Sequence, residues 1–312
     1  MENWRDKLEI SIVHPGLWPA SASDVREWEH SVRAILEDPF FERIEVAPIA
    51  DQQRRRQFNG WLRIANMKAS YLLQPLIFGK EYDLQSSDTA ERTFAVNRII
   101  EAMDEAVESG ADRVAVISGP KDPKEETEDQ LDRLCESLLL LDEAAAERKL
   151  QLDLELFDTT VDKKRLFGES TMAAKLMGRL GRQTASLALL VDLSHVPLLE
   201  ETIEDTVFNT KAWLGHVHIG NCSTKRDDGR FGDKHPYFGY PNGCHSVAEV
   251  SRFLQALHNV GYLTLERKAG LGIEIMAEAD EEPGMLIAGA KRTLIQALQN
   301  VKVDAGKVGE LI

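Results

Sequence analysis

The chain has 312 residues, 43% of them hydrophobic, and a formal net charge of −15. That acidity excludes a general nucleic-acid or anionic-membrane surface, and no apolar run reaches the length of a membrane span. The charged start MENWRDKLEIS has no signal-peptide core, and Cys135, Cys222 and Cys244 form no C-x-x-C, so a reducing, cytoplasmic setting without a disulfide framework is expected.

Leu8–Val13 (LEISIV) reads as a first strand that opens into His14-Pro15-Gly16. Val25, Trp28, Val32, Ile35 and Leu36 recur at helical spacing within Ser23–Glu37. Phe41–Ala47 (FERIEVA) is a second strand stopped by Pro48; Arg54–Asn66 is helical, and Ala69–Phe78 is a third strand. Asp88-Thr-Ala-Glu91 is a capping box for a helix whose stripe is Phe94, Ile99, Ile100, Met103 and Val107, ended by Gly110. Arg113–Ser118 is strand four. Asp122-Pro123 opens the next helix, with Leu131, Leu134, Leu138, Leu139 and Leu141 on its apolar faces. Leu152–Phe157 is strand five, with a helix from about Lys163 to Leu180 after it. Ser186–Asp192 and Leu214–Gly220 are strands six and seven. Ser246-Val-Ala-Glu249 is a second capping box; its helix buries Val250, Phe253, Leu254 and Leu257 and stops at Gly261. Leu271–Met276 is strand eight, and Pro283 opens a last helix carrying Leu286, Leu294 and Leu298.

Eight β/α units with no composition break predict one (β/α)8 TIM barrel over residues 1–312. A doubly wound sheet is the alternative, but no Gly-rich phosphate loop follows an early strand. In a barrel, the ends of strands five to eight adjoin on one rim. Glu155, Asp192, His218 and Glu274 then converge, although far apart in sequence. Between Leu187 and Gly243 the chain concentrates Asp192-Leu-Ser-His195, His216-Val-His218 and Asp233-Lys-His235. Carboxylates and imidazoles gathered at strand ends suit a divalent-metal site.

Each of these residues has a plainer rival. A single strand glutamate more often makes a salt bridge, and only the company of D-x-x-H and H-x-H favours Glu155 as a ligand. His216 and His218 point the same way; His218 is nearer the rim, and His216 reads as a hydrogen-bonded barrel residue. Glu266 competes with Glu274 but sits among charges and reads as a surface residue. His14 is either a rim or a loop histidine, and His30, His245 and His258 have no partner pattern. Cys222 reads as a packing residue, and Arg54-Arg55-Arg56 as a solvated helix face.

With these residues in place, the chain resembles the sugar phosphate isomerase/epimerase superfamily, the xylose-isomerase-like TIM barrels. The likeness rests on LDLELFD, D-L-S-H, GHVHIGN and GIEI. It implies that Glu155, Asp192, His218 and Glu274 hold one divalent ion and that His195 faces the substrate. The endonuclease branch of that group carries extra metal-binding histidines after its early strands. Here Gln74-Pro75 and Ser118-Gly119 stand there instead, although Asp233-Lys-His235 is similar to that branch's D-x-H. The segment HIGNC…GDKHPYFGYPNG resembles the α subunits of C-glycoside deglycosidases, which implies cleavage of 3-oxo-C-glycosides and a small β-subunit partner. The superfamily resemblance also implies a homo-oligomer.

Three carboxylates and one imidazole favour Mn²⁺, with Mg²⁺, Co²⁺ or Zn²⁺ as alternatives. Such an ion stabilises the enediolate formed when a keto sugar loses its α-proton. Glu155 and Glu274 are the expected acid/base pair, one removing the proton and the other returning it. His195 is expected to donate to the substrate oxygen. Asp233 and His235 lie on a long Gly-rich polar loop and are expected to bind substrate or support the ligands. The metal site by itself leaves isomerase, epimerase and lyase outcomes open. An endonuclease-like hydrolase and a non-catalytic binding subunit stand behind them.

Overall fold

Eight short apolar runs become eight parallel strands, and the last closes on the first. The computed structural model describes residues 4–263 and 268–302. The strands are β1 (Leu8–Val13), β2 (Arg43–Val46), β3 (Lys68–Leu72), β4 (Arg113–Val116), β5 (Gln151–Glu155), β6 (Leu187–Asp192), β7 (Leu214–Ile219) and β8 (Ala269–Ile273). They pair in chain order, and β8 pairs with β1, making the closed (β/α)8 barrel. Their outward residues, such as Ile10, Ile12, Ile44, Leu152, Leu154 and Val217, join the helices in one large core. Their inward residues are largely polar, as in Leu8-Glu9-Ile10-Ser11 and Leu152-Asp153-Leu154-Glu155, so most of these strands alternate instead of running apolar throughout.

The barrel interior is far more polar. A small apolar cluster of Val13, Leu72, Ala115 and Leu190 is its main hydrophobic content. Toward the strand starts, Arg43 pairs with Glu9 at 2.7 Å and with Asp112 at 2.5 Å, and Arg113 pairs with Asp153. Higher up, the β7 imidazoles need room that β8 provides. His216 lies opposite Gly270 and His218 opposite Gly272. A Cβ at Gly272 would come within 2.5 Å of His218 Cδ2, so these two small residues make space for the site.

Four element expectations change. The third strand ends at Leu72, and Gln74–Lys80 is a helix with Pro75 in its first turn. A short apolar run serves a strand or a buried helix equally well. The helix expected at Asp122-Pro123 begins at Thr127, because Gln130 holds Asp122 by its N–H and its carbonyl in a separate turn. The helix expected near Lys163 begins at Ser170. The Asp158 carboxylate takes the N–H groups of Val161, Asp162 and Lys163 at 2.7, 2.8 and 2.7 Å and holds them out of a helix. Helix Ile203–Thr210, capped by Thr202 on the Asp205 N–H at 3.1 Å, adds an element that the sequence reading does not contain.

The capping boxes differ as well. Ser246 and Glu249 form a complete one. Asp88 accepts from Ala90 and Glu91, but Glu91 takes the Ser86 hydroxyl instead of reaching back. In helix Thr89–Glu108, Ile99 and Met103 are buried as expected, whereas Phe94 and Val107 are 58% and 44% exposed. Ala95, Val96, Ala102 and Ala106 form the buried ridge in their place. Arg56 is solvated on its helix face and pairs with Glu108, as expected, but Arg55 turns inward, its side chain 11% exposed, to bind Glu108 and the Ile49 and Ala50 carbonyls.

His14 is buried, with Nε2 2.8 Å from Ser31 Oγ and its ring stacked on Trp18. Burial pushes its pKa down to about 4. The unfolded chain takes up this proton near pH 6.5 while the folded chain refuses it until about pH 4. Stability held above the unfolded value is therefore lost as pH falls toward the folded one. Relative to His14→Gln, the wild type is expected to lose about 3 kcal/mol between pH 7 and pH 4, read by urea unfolding at each pH. A pH-independent difference would show that His14 is not held neutral.

Candidate metal centre and active site

The site follows from strand parity and register. Alternate residues of a strand face the barrel interior, so Glu155 on β5, Asp192 on β6 and His216 and His218 on β7 share it. The β6–β7 register sets Asp192 beside His218. The Glu274 N–H continues the β8 ladder to the Ile219 carbonyl at 2.9 Å and carries its side chain to the same rim. One ligand atom each from Glu155, Asp192, His218 and Glu274 lies within 4.8 Å of all the others. Asp192, His195 and His235 form a second such group, with Asp192 common to both.

His195 reaches the rim from the start of the short helix His195–Leu198 after β6, and His235 from the long loop after β7. His195 Nε2 is 3.5 Å from Glu155 Oε1, and its ring packs on Phe157 with centroids 4.2 Å apart. His235 Nε2 is 2.6 Å from Asp233 Oδ1 and 3.8 Å from Glu274 Oε1, and its Nδ1 is 3.8 Å from Asp192 Oδ2. The loop is pinned by Asn221, whose amide donates to the Tyr237 carbonyl at 2.9 Å and accepts the His245 N–H at 2.8 Å. His235 has φ +39°, a left-handed backbone that a non-glycine residue adopts at a cost.

The charges in the centre are strongly coupled. Burial disfavours an imidazolium, but Asp233 and Glu155 outweigh it and raise His195 to about 9. Glu274 and Asp233 likewise outweigh burial and raise His235 to about 10. His218 is raised well above the usual imidazole range against the same burial penalty, by Glu45 and Glu274. Against burial, His235 and His195 lower both Asp192 and Asp233, whereas burial raises Glu155. Four acids crowded together draw in positive charge.

A divalent ion fits this donor set. Asp192 Oδ2, both ring nitrogens of His195 and His235 Nδ1 are buried without a hydrogen-bond partner. Buried polar groups are normally paired, and unpaired charged ones are costly, so these atoms are set for a ligand or ion. The oxygen-rich group Glu155, Asp192, His218 and Glu274 suits a hard cation.

Two residues here escaped the sequence reading. Glu45 on β2 is fully buried and touches both β7 histidines, at 2.9 Å to His216 and 3.1 Å to His218. Its only signal is a charge in the middle of an apolar strand. Gln74 donates its amide to Glu155 Oε2 at 2.7 Å, and its own carbonyl Oε1 is buried without a partner. His245 is structural, its Nδ1 2.9 Å from the Gly220 carbonyl, and Cys222 is buried against Cys244. Glu266 lies outside the described residues.

A cavity of about 430 Å³ opens over the centre, with Glu155, His218, Asp233 and Glu274 among its lining groups. Pro15, Pro19, Pro75, Phe78 and Met276 line it too and give it an apolar outer wall. Two of its cations are engaged: Lys163 binds Asp162 at 3.0 Å, and Arg230 binds Glu278 at 3.2 Å and the Met276 carbonyl at 3.0 Å; Lys234, also in the lining, is exposed.

The profile of the xylose isomerase-like TIM barrel family matches residues 34–289. The chain belongs to this family. Solved structures similar to this xylose isomerase-like barrel include L-ribulose 3-epimerase, 18% identical, with TM-score 0.72, covering 94% of this chain and 96% of that one. A D-tagatose 3-epimerase-like protein is 15% identical, with TM-score 0.70, covering 95% and 100%. The 3-keto-D-glucoside 4-epimerase from E. coli is 14% identical, with TM-score 0.67, covering 94% and 100%. No curated protein matches the sequence. Among the described residues, no helix is long and apolar enough to cross a membrane.

Proposed function

We propose that this xylose isomerase-like barrel is a divalent-metal-dependent enzyme that enolises a keto sugar, acting as an isomerase or epimerase. The observation that carries the reading is the convergence of Glu155, Asp192, His218 and Glu274 beneath one cavity. When bound, the ion, Mn²⁺ first among Mg²⁺, Co²⁺ and Zn²⁺, supplies positive charge that polarises the ketone. Glu155 is aimed by the Gln74 amide on one oxygen and faces His195 with the other. It takes the α-proton, and burial, which raises its pKa, makes it a stronger base than an exposed glutamate. Glu274, its Oε2 2.9 Å from His218 Nδ1 at the rim, returns a proton from the other side. His195 donates to the oxygen that gains charge, while Asp233 and His235 orient the sugar hydroxyls. The epimerase names of the similar structures support this substrate class.

A second reading takes the same enolisation to elimination from a 3-oxo-C-glycoside, with a small β-subunit partner. The apolar outer wall favours it, because a free sugar would press hydroxyls against Phe78 and the prolines, whereas an aglycone would cover them. An endonuclease-like hydrolase is disfavoured by Gln74 and Ser118-Gly119 where that branch has histidines, and by the acidic total.

The test is elemental analysis after purification without chelator, followed by incubation of ketoses and 3-keto glycosides in D₂O. Divalent metal bound to the chain, with deuterium entering the carbon next to the ketone, is expected. One ion per chain leaves His195, Asp233 and His235 to the substrate; two ions place the second on Asp192, His195 and His235. Release of the aglycone selects the lyase reading, and an epimer or isomer selects the first. No metal even after reloading would sink both and bring forward a barrel kept as a binding subunit.

A further inference from the structure

We infer that Glu45 is a positioning residue for the metal centre: it clamps Nε2 of His218 from inside the barrel and leaves Nδ1 as the nitrogen that faces the ion. This rests on the metal reading above. Glu45 sits on β2, across the barrel from β7, and is fully buried. Three groups converge on its carboxylate. Ser11 Oγ donates to Oε1 at 2.5 Å, His216 Nε2 lies 2.9 Å from Oε1, and His218 Nε2 lies 3.1 Å from Oε2. A carboxylate only accepts, so both imidazoles present N–H at Nε2. The remaining nitrogen of His218, Nδ1, lies 2.9 Å from Glu274 Oε2 within the ligand group, so in the metal-free chain it too carries a proton, and this is the proton that a bound ion would replace while Glu45 keeps the one on Nε2.

Glu45, His216 and His218 also lie close enough together to be a ligand set of their own. Access and geometry argue against that. Neither Glu45 nor His216 lines the cavity, whereas His218, Glu155 and Glu274 do. The two contacts of Glu45 with the histidines have hydrogen-bond lengths, and His218 Nε2 has no room for both a proton and a cation. Gly272 seals the arrangement: a Cβ there would meet His218 Cδ2 at 2.5 Å and Glu45 Oε1 at 2.6 Å. The imidazole plane is thus fixed by a carboxylate behind it and by a strand with no side chain beside it. A carboxylate that fixes the tautomer and orientation of a metal-binding histidine is a general device for raising metal affinity.

The test has one readout without metal and one with it. In chelator-treated wild type, long-range ¹H–¹⁵N NMR of the imidazoles is expected to show His216 and His218 protonated at Nε2. A His218 proton held on Nδ1 with Nε2 bare would overturn the proposal without needing any variant. Glu45→Gln keeps the shape but replaces one acceptor oxygen with a donor. Its Mn²⁺ affinity, read from the free-ion EPR signal during titration, is expected to fall about 10–100-fold with stoichiometry unchanged. Circular dichroism checks that it folds, and Ser11→Ala, which leaves the carboxylate in place, is expected to keep Mn²⁺ affinity near that of wild type. Unchanged affinity in Glu45→Gln overturns the positioning role. A loss of stoichiometry there, matching Asp192→Asn, would make Glu45 a ligand and equally overturn it. A wild type that binds no Mn²⁺ identifies the metal reading itself as the failure.

Discussion

Asp192→Asn is expected to strip the protein of bound metal while leaving it folded. Asp192 is the one residue common to the Glu155–Asp192–His218–Glu274 and Asp192–His195–His235 groups. Its Oδ1 accepts the Ser194 N–H at 2.7 Å, a bond that asparagine can keep, so the turn after β6 survives. Its Oδ2 is buried and unpartnered. In the variant an amide can be turned toward the ion, which removes a charge and presents a donor where a ligand is needed. Metal affinity should fall by more than the roughly 10–100-fold that loss of a supporting residue costs. Elemental analysis of the purified variant and Mn²⁺ titration read this directly. A variant that keeps its full metal content would move the ion away from this centre.

Glu155→Gln and Glu274→Gln are expected to lower turnover by about 10²–10⁴-fold each, the scale of a positioned proton-transfer group. In Glu155→Gln the new side-chain carbonyl can still accept from the Gln74 amide, and the Glu274 side chain sits at the rim beside His218 at 2.9 Å and His235 at 3.8 Å, so neither change opens the core. Deuterium incorporation into a keto sugar in D₂O, measured at saturating Mn²⁺, separates lost proton transfer from lost metal. Activity retained in either variant would sink the two-carboxylate mechanism, whatever the metal content. Loss in both, with the ion still bound, would tie each glutamate to the proton rather than to the cation alone.

The contrast between these residues and those that the sequence hides is one of range. Glu155, Asp192 and His218 are legible because each ends an apolar run, and the barrel rule then places the run ends together. Glu274 is legible for the same reason, although β8 itself stops at Ile273. The helix at Gln74 is not, because LLQPLIF carries no period that separates strand from buried helix. The start at Ser170 is not, because the three N–H bonds taken by Asp158 outweigh local helix preference.

By itself the sequence determined the alternation of eight strands and helices, the closed barrel and the strand ends that bear carboxylates and imidazoles, since periodicity and end signals are local. Only the tertiary structure decided that Glu45 lies behind His218, that Gln74 aims Glu155, that Gly270 and Gly272 make room for two imidazoles and that Asp192 joins two ligand groups. Those relations depend on strand register and on distances across the barrel. No stretch of chain encodes them alone, because each is a contact between residues many tens of positions apart.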